Sequence, residues 1–232
     1  MKKNIFFSTI IIFTLFLFLT GCNSSNSSNS NTNNYNSNSS NNASKDKTET
    51  KELTESDKMI LKISSLINNK EAFDAGNYII GDIPAGEYAF VKFSSGGYYC
   101  EKDASGSIID NENFNSFGYV KVHATGNLET RGVLISTSSF DKLGVSGAKE
   151  IYEILNEQSN YNQAGYYKVG VDIEQGKYIV ESIGSSGYYA IKTGPVGNSN
   201  IVDNDSLSGK ATINLRNGQY LDLSRARIIK AN

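Results

Sequence analysis

The chain has 232 residues, with 22 lysines and arginines against 24 aspartates and glutamates. This near balance excludes the strongly basic surface typical of nucleic-acid binding, so no nucleic-acid partner is predicted. A single histidine and two cysteines, Cys22 and Cys100, exclude a scaffold of several disulfides and a histidine-rich metal centre. No cofactor is predicted.

The N-terminus has the layout of an export signal. Lys2 and Lys3 precede an apolar run over residues 5–19. At about 15 residues this run fits a signal core and is short for a membrane-spanning helix. It ends in the segment Leu19-Thr20-Gly21-Cys22. This segment resembles the lipobox of bacterial lipoproteins in all four places: an aliphatic residue, a small residue, glycine and cysteine.

The resemblance implies cleavage after Gly21 and a diacylglyceryl group, with palmitate-type acyl chains, on Cys22. Residues 1–21 are therefore the predicted signal peptide. The mature protein is predicted on the extracytoplasmic face of the cell membrane, held by the lipid on Cys22. Two acyl chains give durable attachment where a single chain would be marginal. An uncleaved anchor helix and plain secretion are the alternatives.

Residues 22–53 are predicted to form a tether. An asparagine- and serine-rich tract follows Cys22, and a short charged stretch over 45–51 continues it. Such a composition cannot bury a core and predicts disorder. A flexible coil of this kind spans roughly 25 Å on average, enough to lift a folded module off the lipid headgroups.

The remainder of the chain is an internal duplication. Three segments of the first copy recur in the second, with one inserted residue in the first pair: Gly81–Tyr88 as Gly170–Tyr178, Ser95–Tyr99 as Ser185–Tyr189, and Ile108–Glu112 as Ile201–Asp205. The duplication predicts repeat unit 1 over 54–141 and repeat unit 2 over 144–232. Each unit is near the size at which a single core is marginal.

Each unit is predicted to begin with a short amphipathic helix. Ile60, Ile63, Leu66 and Ile67 recur at helical spacing in the first copy, and Ile151, Ile154 and Leu155 do so in the second. Thr54 and Asp57 predict a capping box at the first helix.

The rest of each unit predicts short strands separated by turns. In the first copy these strands cover 78–80, 87–93, 97–102, 119–123 and 131–136; in the second they include 187–192, 212–215 and 219–223. The predicted fold class is mainly β: two tandem antiparallel β-sandwich or barrel-like units, each preceded by a helix.

The pattern Gly-x-Asp-Ile-Pro-Ala-Gly-x-Tyr is similar to a repeat domain of uncharacterised Gram-positive surface lipoproteins. The first copy, Gly81–Tyr88, lacks the spacer residue after its first glycine, and the second copy lacks the proline. The resemblance implies a location at the cell surface rather than an activity.

Candidate chemistry is sparse, and the protein is predicted not to be an enzyme. Cys100 and His123 could in principle form a dyad, but strand residues of these types more often pack in a core. Glu87 and Glu101 are possible paired carboxylates for a hydrolase, although nothing in the pattern singles them out.

Two short acidic stretches raise the question of calcium. They contain the pairs Asp110/Glu112 and Asp203/Asp205. Alternating oxygen-bearing side chains are what calcium loops use, yet the glycine and distant glutamate of an EF-hand are missing. Polar turns are the favoured interpretation, and no metal site is predicted.

The tyrosine pairs are the better indication of function. Tyr98 and Tyr99 adjoin in a predicted strand, as do Tyr188 and Tyr189, so one member of each pair should face outward. The four tyrosines are the predicted binding residues of a non-catalytic module for a cell-wall, glycan or protein ligand. A structural envelope protein without a discrete ligand is the main alternative, and a carboxylate-based envelope hydrolase is another.

Overall fold

A computed structural model describes residues 52–92 and 96–231. The predicted signal peptide, Cys22 and the predicted tether up to residue 51 lie outside these residues. The described structure starts with helix α1, Glu55–Asn68.

Helix α1 begins at the predicted capping box. Thr54 Oγ1 accepts a hydrogen bond from the Asp57 N–H (3.1 Å), and the Asp57 carboxylate accepts one from the Thr54 N–H (3.0 Å). These bonds satisfy donors that the first turn leaves free, which confirms the predicted helix start. The buried face consists of Met59, Ile63 and Leu66. Ile60, which shares the apolar periodicity, is 44% exposed.

The described part of the first repeat continues as two antiparallel four-stranded sheets. Its strands are β1 Ala72–Phe73, β2 Gly76–Tyr78, β3 Gly86–Val91, β4 Tyr99–Lys102, β5 Ile108–Glu112, β6 Phe117–Val122, β7 Leu128–Thr130 and β8 Val133–Ser136. The sheet orders are β1-β8-β3-β6 and β2-β7-β4-β5. A 3₁₀ turn at Thr137–Ser139 and helix α2, Phe140–Leu143, follow.

The second repeat opens with helix α3, Ala148–Leu155. Its strands are β9 Gly165–Lys168, β10 Gly176–Ser182, β11 Gly187–Lys192, β12 Ile201–Leu207, β13 Lys210–Leu215, β14 Tyr220–Ser224 and β15 Ala226–Lys230. They form sheets of order β13-β10-β15 and β12-β11-β14-β9.

The two repeats share one sheet topology. In the first, β3 lies between β6 and β8, and β4 lies between β5 and β7; in the second, β10 and β11 hold the same places. Strand β9 takes the place of β2. The predicted fold class is therefore confirmed as mainly β with two tandem units. All four sheets of the described residues remain open and none closes into a barrel.

Some strands differ from the predicted ones. The strand predicted over 78–80 ends at Tyr78, because the Asp82 carboxylate accepts a hydrogen bond from the Ile79 N–H (3.0 Å) and turns the chain. The strand predicted over 131–136 begins at Val133. The stretches interpreted as polar turns are strands β5 and β12, each at the edge of its sheet.

The second repeat packs directly on the first. Helix α3 lies against β3 and β6 of the first repeat. The segment that joins β11 to β12 runs beside β6, where the Lys121 N–H donates to the Val196 carbonyl (2.7 Å) and the Val196 N–H donates to the Tyr119 carbonyl (3.0 Å). Residues 50–232 therefore form one compact unit, and neither repeat buries its core alone.

A charged and aromatic group fixes the contact between the repeats. Lys168 Nζ of β9 lies 2.7 Å from Glu87 Oε1 of β3, and the Tyr220 hydroxyl donates to the same oxygen (3.2 Å). The ammonium also lies over the rings of Tyr119 and Tyr220, at 5.7 and 5.6 Å from their centres. Because this pair is partly buried and hydrogen-bonded, it is less screened by salt than a surface ion pair and sets the alignment of the repeats.

The N-terminus of α3 receives its hydrogen-bond acceptors from outside the helix. Its N-cap residue, Gly147, has no side chain, so the Tyr119 hydroxyl accepts from the Ala148 N–H (2.9 Å) and Asp172 Oδ1 accepts from the Lys149 N–H (3.0 Å). Asp172 Oδ2 also accepts from the Lys168 N–H (2.8 Å). Burial raises the pKa of Asp172 to about 6, against the lowering effect of these N–H donors.

This raised pKa predicts an unusual pH dependence. Folded protein binds a proton at Asp172 up to about pH 6, whereas the unfolded chain loses it near pH 3.8. Stability from this group is therefore present below about pH 4 and lost as pH rises through 6, by about 3 kcal/mol. The Asp172→Asn variant has no carboxyl group at this position, so its stability should not fall with pH in this way. Urea unfolding at pH 4, 5, 6 and 7 should show that the free energy of unfolding of the variant rises relative to that of the wild type as pH increases. Parallel pH profiles would contradict the prediction.

Candidate functional site

The structure separates the two members of each predicted tyrosine pair. Tyr99 and Tyr189 point into the core, and Tyr98 and Tyr188 are half-buried on the opposite side of their strands. The Tyr99 hydroxyl donates to Glu101 Oε2 (3.1 Å), and the Tyr189 hydroxyl donates to an Asp203 oxygen (3.2 Å). Of the four predicted binding residues, only Tyr98 and Tyr188 are thus placed to meet a surface ligand.

His123 is paired with Glu101 rather than with Cys100. His123 Nδ1 lies 2.9 Å from Glu101 Oε2, and the carboxylate also accepts hydrogen bonds from the backbone N–H groups of His123 (2.8 Å) and Ala124 (2.9 Å). Ala124 has a left-handed backbone (φ 58°), so the two successive N–H groups converge on one anion as in a backbone nest. Cys100 neighbours Glu101 in β4 and faces the other side of the sheet.

The other acidic candidates are held in separate contacts. Glu87 pairs with Lys168 across the repeats, while Glu101 is buried beside His123. Asp110 Oδ2 accepts a hydrogen bond from the Gly197 N–H (2.6 Å). Across residues 52–92 and 96–231, no group of three or more histidine, cysteine, aspartate or glutamate side chains could hold a metal ion.

Equivalent sheet faces of the two repeats can be matched through strand register. In the first repeat, Glu129 of β7 pairs with Asn77 of β2 and with Cys100 of β4. In the second, Asp222 of β14 pairs with Tyr166 of β9 and with Ala190 of β11. Tyr166 is therefore the counterpart of Asn77, and Ala190 is the counterpart of Cys100. Lys102 lies beside Asn127 in the first repeat, and Lys192 lies beside Tyr220 in the second. Lys192 is therefore the counterpart of Lys102, and Tyr220 is the counterpart of Asn127. We call the first set, with Tyr98, the open face: Asn77, Tyr98, Cys100, Lys102, Asn127 and Glu129. We call the second the covered face: Tyr166, Tyr188, Ala190, Lys192, Tyr220 and Asp222.

The first repeat fills the covered face. Tyr166 meets Phe114 edge to face at 6.2 Å, and Tyr220 meets Tyr119 in the same way at 5.7 Å. Lys192 Nζ lies 4.8 Å from the centre of the Tyr166 ring.

Lys192 is neutralised by carboxylates from both repeats. It contacts Asp222 (3.0 Å) within its own repeat and Glu112 (3.6 Å) of the first. Burial and the charge of Asp222 raise the pKa of Glu112, and the positive charge of Lys192 opposes this rise.

The open face is a hollow instead of a packed interface. Where the covered face has Tyr166 and Tyr220, the open face has the much smaller Asn77 and Asn127, both exposed. A cleft of about 230 Å³ lies between them, with the buried Cys100 among its lining residues. Lys102 and Glu129 also line this cleft. Two tyrosine-to-asparagine differences therefore turn one copy of the same face into a site that can admit a ligand.

The charges of the open face are arranged differently from those of the covered face. Glu129 contacts Arg131 (2.9 Å) instead of the lysine of its own sheet, and the Arg131 guanidinium lies 5.4 Å from the centre of the Tyr98 ring. Within the described ranges, Lys102 has no carboxylate within ion-pair distance. The cleft thus presents a cation without a carboxylate partner and two amides, beside the side chains of Tyr78, Ile79 and Leu128.

Sequence reasoning found Tyr98 but missed the cleft. Asn77, Asn127 and Lys102 carry no motif, and asparagine is abundant throughout the chain. The available signal was the alignment of the two copies, in which tyrosine in one copy stands where asparagine stands in the other. That difference becomes informative only when the two positions are known to share one face.

Comparisons with protein-family models, curated proteins and solved structures found no significant match. In the part of the chain that the structure describes, no helix is both long and apolar enough to cross a membrane.

Proposed function

We propose that this protein is a lipid-anchored, non-catalytic binding module of the cell envelope, with the open face as its ligand site. The single observation that carries the proposal is the contrast between the two copies of this face. One is filled by aromatic side chains from both repeats, and the other keeps a cleft of about 230 Å³.

The chemistry of the cleft suits a small polar group of a larger ligand. The side-chain amides of Asn77 and Asn127 both donate and accept hydrogen bonds, and Lys102 supplies an unpaired cation. Tyr98, on the same face, contributes an aromatic ring with a polar tip, and the Arg131 guanidinium lies over that ring. A cleft below the roughly 300 Å³ of drug-sized pockets fits one sugar ring or one peptide side chain. Cell-wall glycan or its attached peptide is the ligand class that we propose.

The proposed location gives this ligand access. A lipid on Cys22 would hold the protein at the extracytoplasmic face of the membrane, and the residues up to 53 would let the module reach the wall above it. Weak sites are useful in this setting because a tethered module meets a polymeric ligand at high effective concentration.

A pelleting assay tests the ligand site. Residues 45–232, which contain the whole compact unit, are incubated with purified cell-wall material and sedimented. We expect the wild type to pellet with the wall. Truncating a central aromatic or amide contact commonly costs about 2 kcal/mol, so Tyr98→Ala and Asn127→Ala should each weaken binding about tenfold or more.

Tyr188→Ala is the matched control, because Tyr188 holds the position of Tyr98 on the covered face. It should pellet like the wild type. Circular dichroism and urea unfolding establish that each variant is folded. Wild-type protein that stays in the supernatant would reject the wall ligand and favour a purely structural role. Equal loss in the Tyr98 and Tyr188 variants would show that the open face is not the site.

A further inference from the structure

A second recognition surface lies at the edge of the second repeat. Strand β12, Ile201–Leu207, pairs with β11 on one side, and no strand of the described residues pairs with its other side. Residues 201–206 are all exposed, including Ile201 and Val202 at 55% and 56%. Such an edge presents a row of backbone N–H and C=O groups that a further strand can pair with.

The equivalent edge in the first repeat shows what this position can accept. Asp110 of β5 accepts a hydrogen bond from the Gly197 N–H, and Glu112 of β5 lies 3.6 Å from Lys192. Both partners come from the second repeat. Among the described residues, Asp203, the counterpart of Asp110, contacts Tyr189 of its own repeat, and Asp205, the counterpart of Glu112, has no ion-pair partner.

Pairing of β12 with β12 of a second copy of this chain is disfavoured. Asp203 and Asp205 are two residues apart, so their side chains lie on the same side of the strand. Antiparallel self-pairing centred on residue 203, 204 or 205 would set two carboxylates directly opposite each other. Opposed like charges destabilise a strand pair, and acidic residues on an edge are a known protection against self-association.

We propose that β12 accepts an extended basic segment of a partner protein, which adds to the sheet as a fifth strand. Main-chain hydrogen bonds supply the affinity. Lysine or arginine at alternate positions of the segment faces Asp203 and Asp205, and apolar side chains cover Ile201 and Val202. This surface is separate from the open face and does not depend on the proposed wall ligand.

Synthetic peptides test the proposal. ¹⁵N-labelled protein comprising residues 45–232 is titrated at low salt with a capped seven-residue peptide of alternating lysine and valine. We expect the amide resonances of residues 201–206 to shift and their hydrogen exchange to slow. The matching glutamate–valine peptide should bind at least about tenfold more weakly, because it sets carboxylate against carboxylate.

Charge-reversal variants separate edge pairing from general attraction. Asp205→Lys should weaken binding of the lysine peptide, and the double change Asp203→Lys with Asp205→Lys should reverse the preference toward the glutamate peptide. Asp141→Lys makes the same charge change on the exposed surface of α2 and should leave the preference unaltered.

Three results would overturn the proposal. The first is the absence of shifts at residues 201–206 with either peptide. The second is equal weakening by Asp141→Lys and Asp205→Lys, which would reduce the effect to net charge. The third is concentration-dependent shifting of the same amides without peptide, which would make a second copy of the chain the occupant.

Discussion

Tyr166→Asn should lower the free energy of unfolding by about 3–5 kcal/mol, the range for removing a buried aromatic ring. The Tyr166 side chain is fully buried between the repeats, contacts Phe114 edge to face and supports Lys192. Its hydroxyl donates to the Gly194 carbonyl (2.8 Å). Asparagine is too short to replace these contacts, so the variant leaves a cavity and an unpaired carbonyl at the centre of the interface. Urea unfolding measures the change.

The reverse substitution in the first repeat is the matched control. Asn77 is the exposed counterpart of Tyr166, so Asn77→Tyr should change stability by no more than about 0.5 kcal/mol. It should nevertheless fill the cleft and reduce pelleting with wall material. A loss below about 1 kcal/mol for Tyr166→Asn would show that the contact between the repeats does not depend on the aromatic side chains.

Glu101→Ala should cost about 3–5 kcal/mol, because it removes a buried acceptor that several donors share and each donor left without a partner costs about 1–3 kcal/mol. The side chain is 1% exposed, and its carboxylate is the acceptor for the Tyr99 hydroxyl and for the N–H groups of His123 and Ala124. Alanine would leave all of these donors buried without a partner. The left-handed backbone at Ala124 would also lose the anion that holds it in place.

Two further variants show which part of this effect belongs to the carboxylate. Glu101→Gln keeps one acceptor oxygen and should cost about half as much. His123→Ala removes a side chain that is 31% exposed and should cost about 1 kcal/mol. Equal costs for Glu101→Ala and His123→Ala would mean that the contact between the two side chains, rather than the backbone donors, carries the stability of this cluster.

Features within one repeat were predictable from the sequence. The capping box at Thr54 and Asp57 and the alternation of Tyr98 with Tyr99 depend on residues close together in the chain, and the duplication is visible as repeated sequence. The predicted strand over 78–80 is wrong at its end because two local preferences compete there. Ile79 and Ile80 have high strand propensity, but the Asp82 carboxylate bends the chain after Tyr78. The polar sequences of β5 and β12 predict turns, but both segments form strands because a strand at a sheet edge needs no buried face.

Features that join the repeats were not predictable in this way. Whether Tyr188 faces solvent or a neighbour depends on where the second repeat packs, and that position is set by residues as distant in sequence as Glu87, Lys168 and Tyr220. The same is true of the cleft at Asn77. Only the fold shows that Asn77 and Asn127 stand where Tyr166 and Tyr220 stand in the second repeat, which no pattern within the first copy can indicate.

The placement of α3 on the sheet of the first repeat affects the order in which the chain folds. While residues 54–141 are emerging from the ribosome or an export channel, their sheet lacks the helix and the tyrosines that later cover β3 and β6. We therefore expect the first half to stay loosely structured until the last strands are synthesised. Such a delay would suit the proposed export of the protein, because translocation requires an unfolded chain.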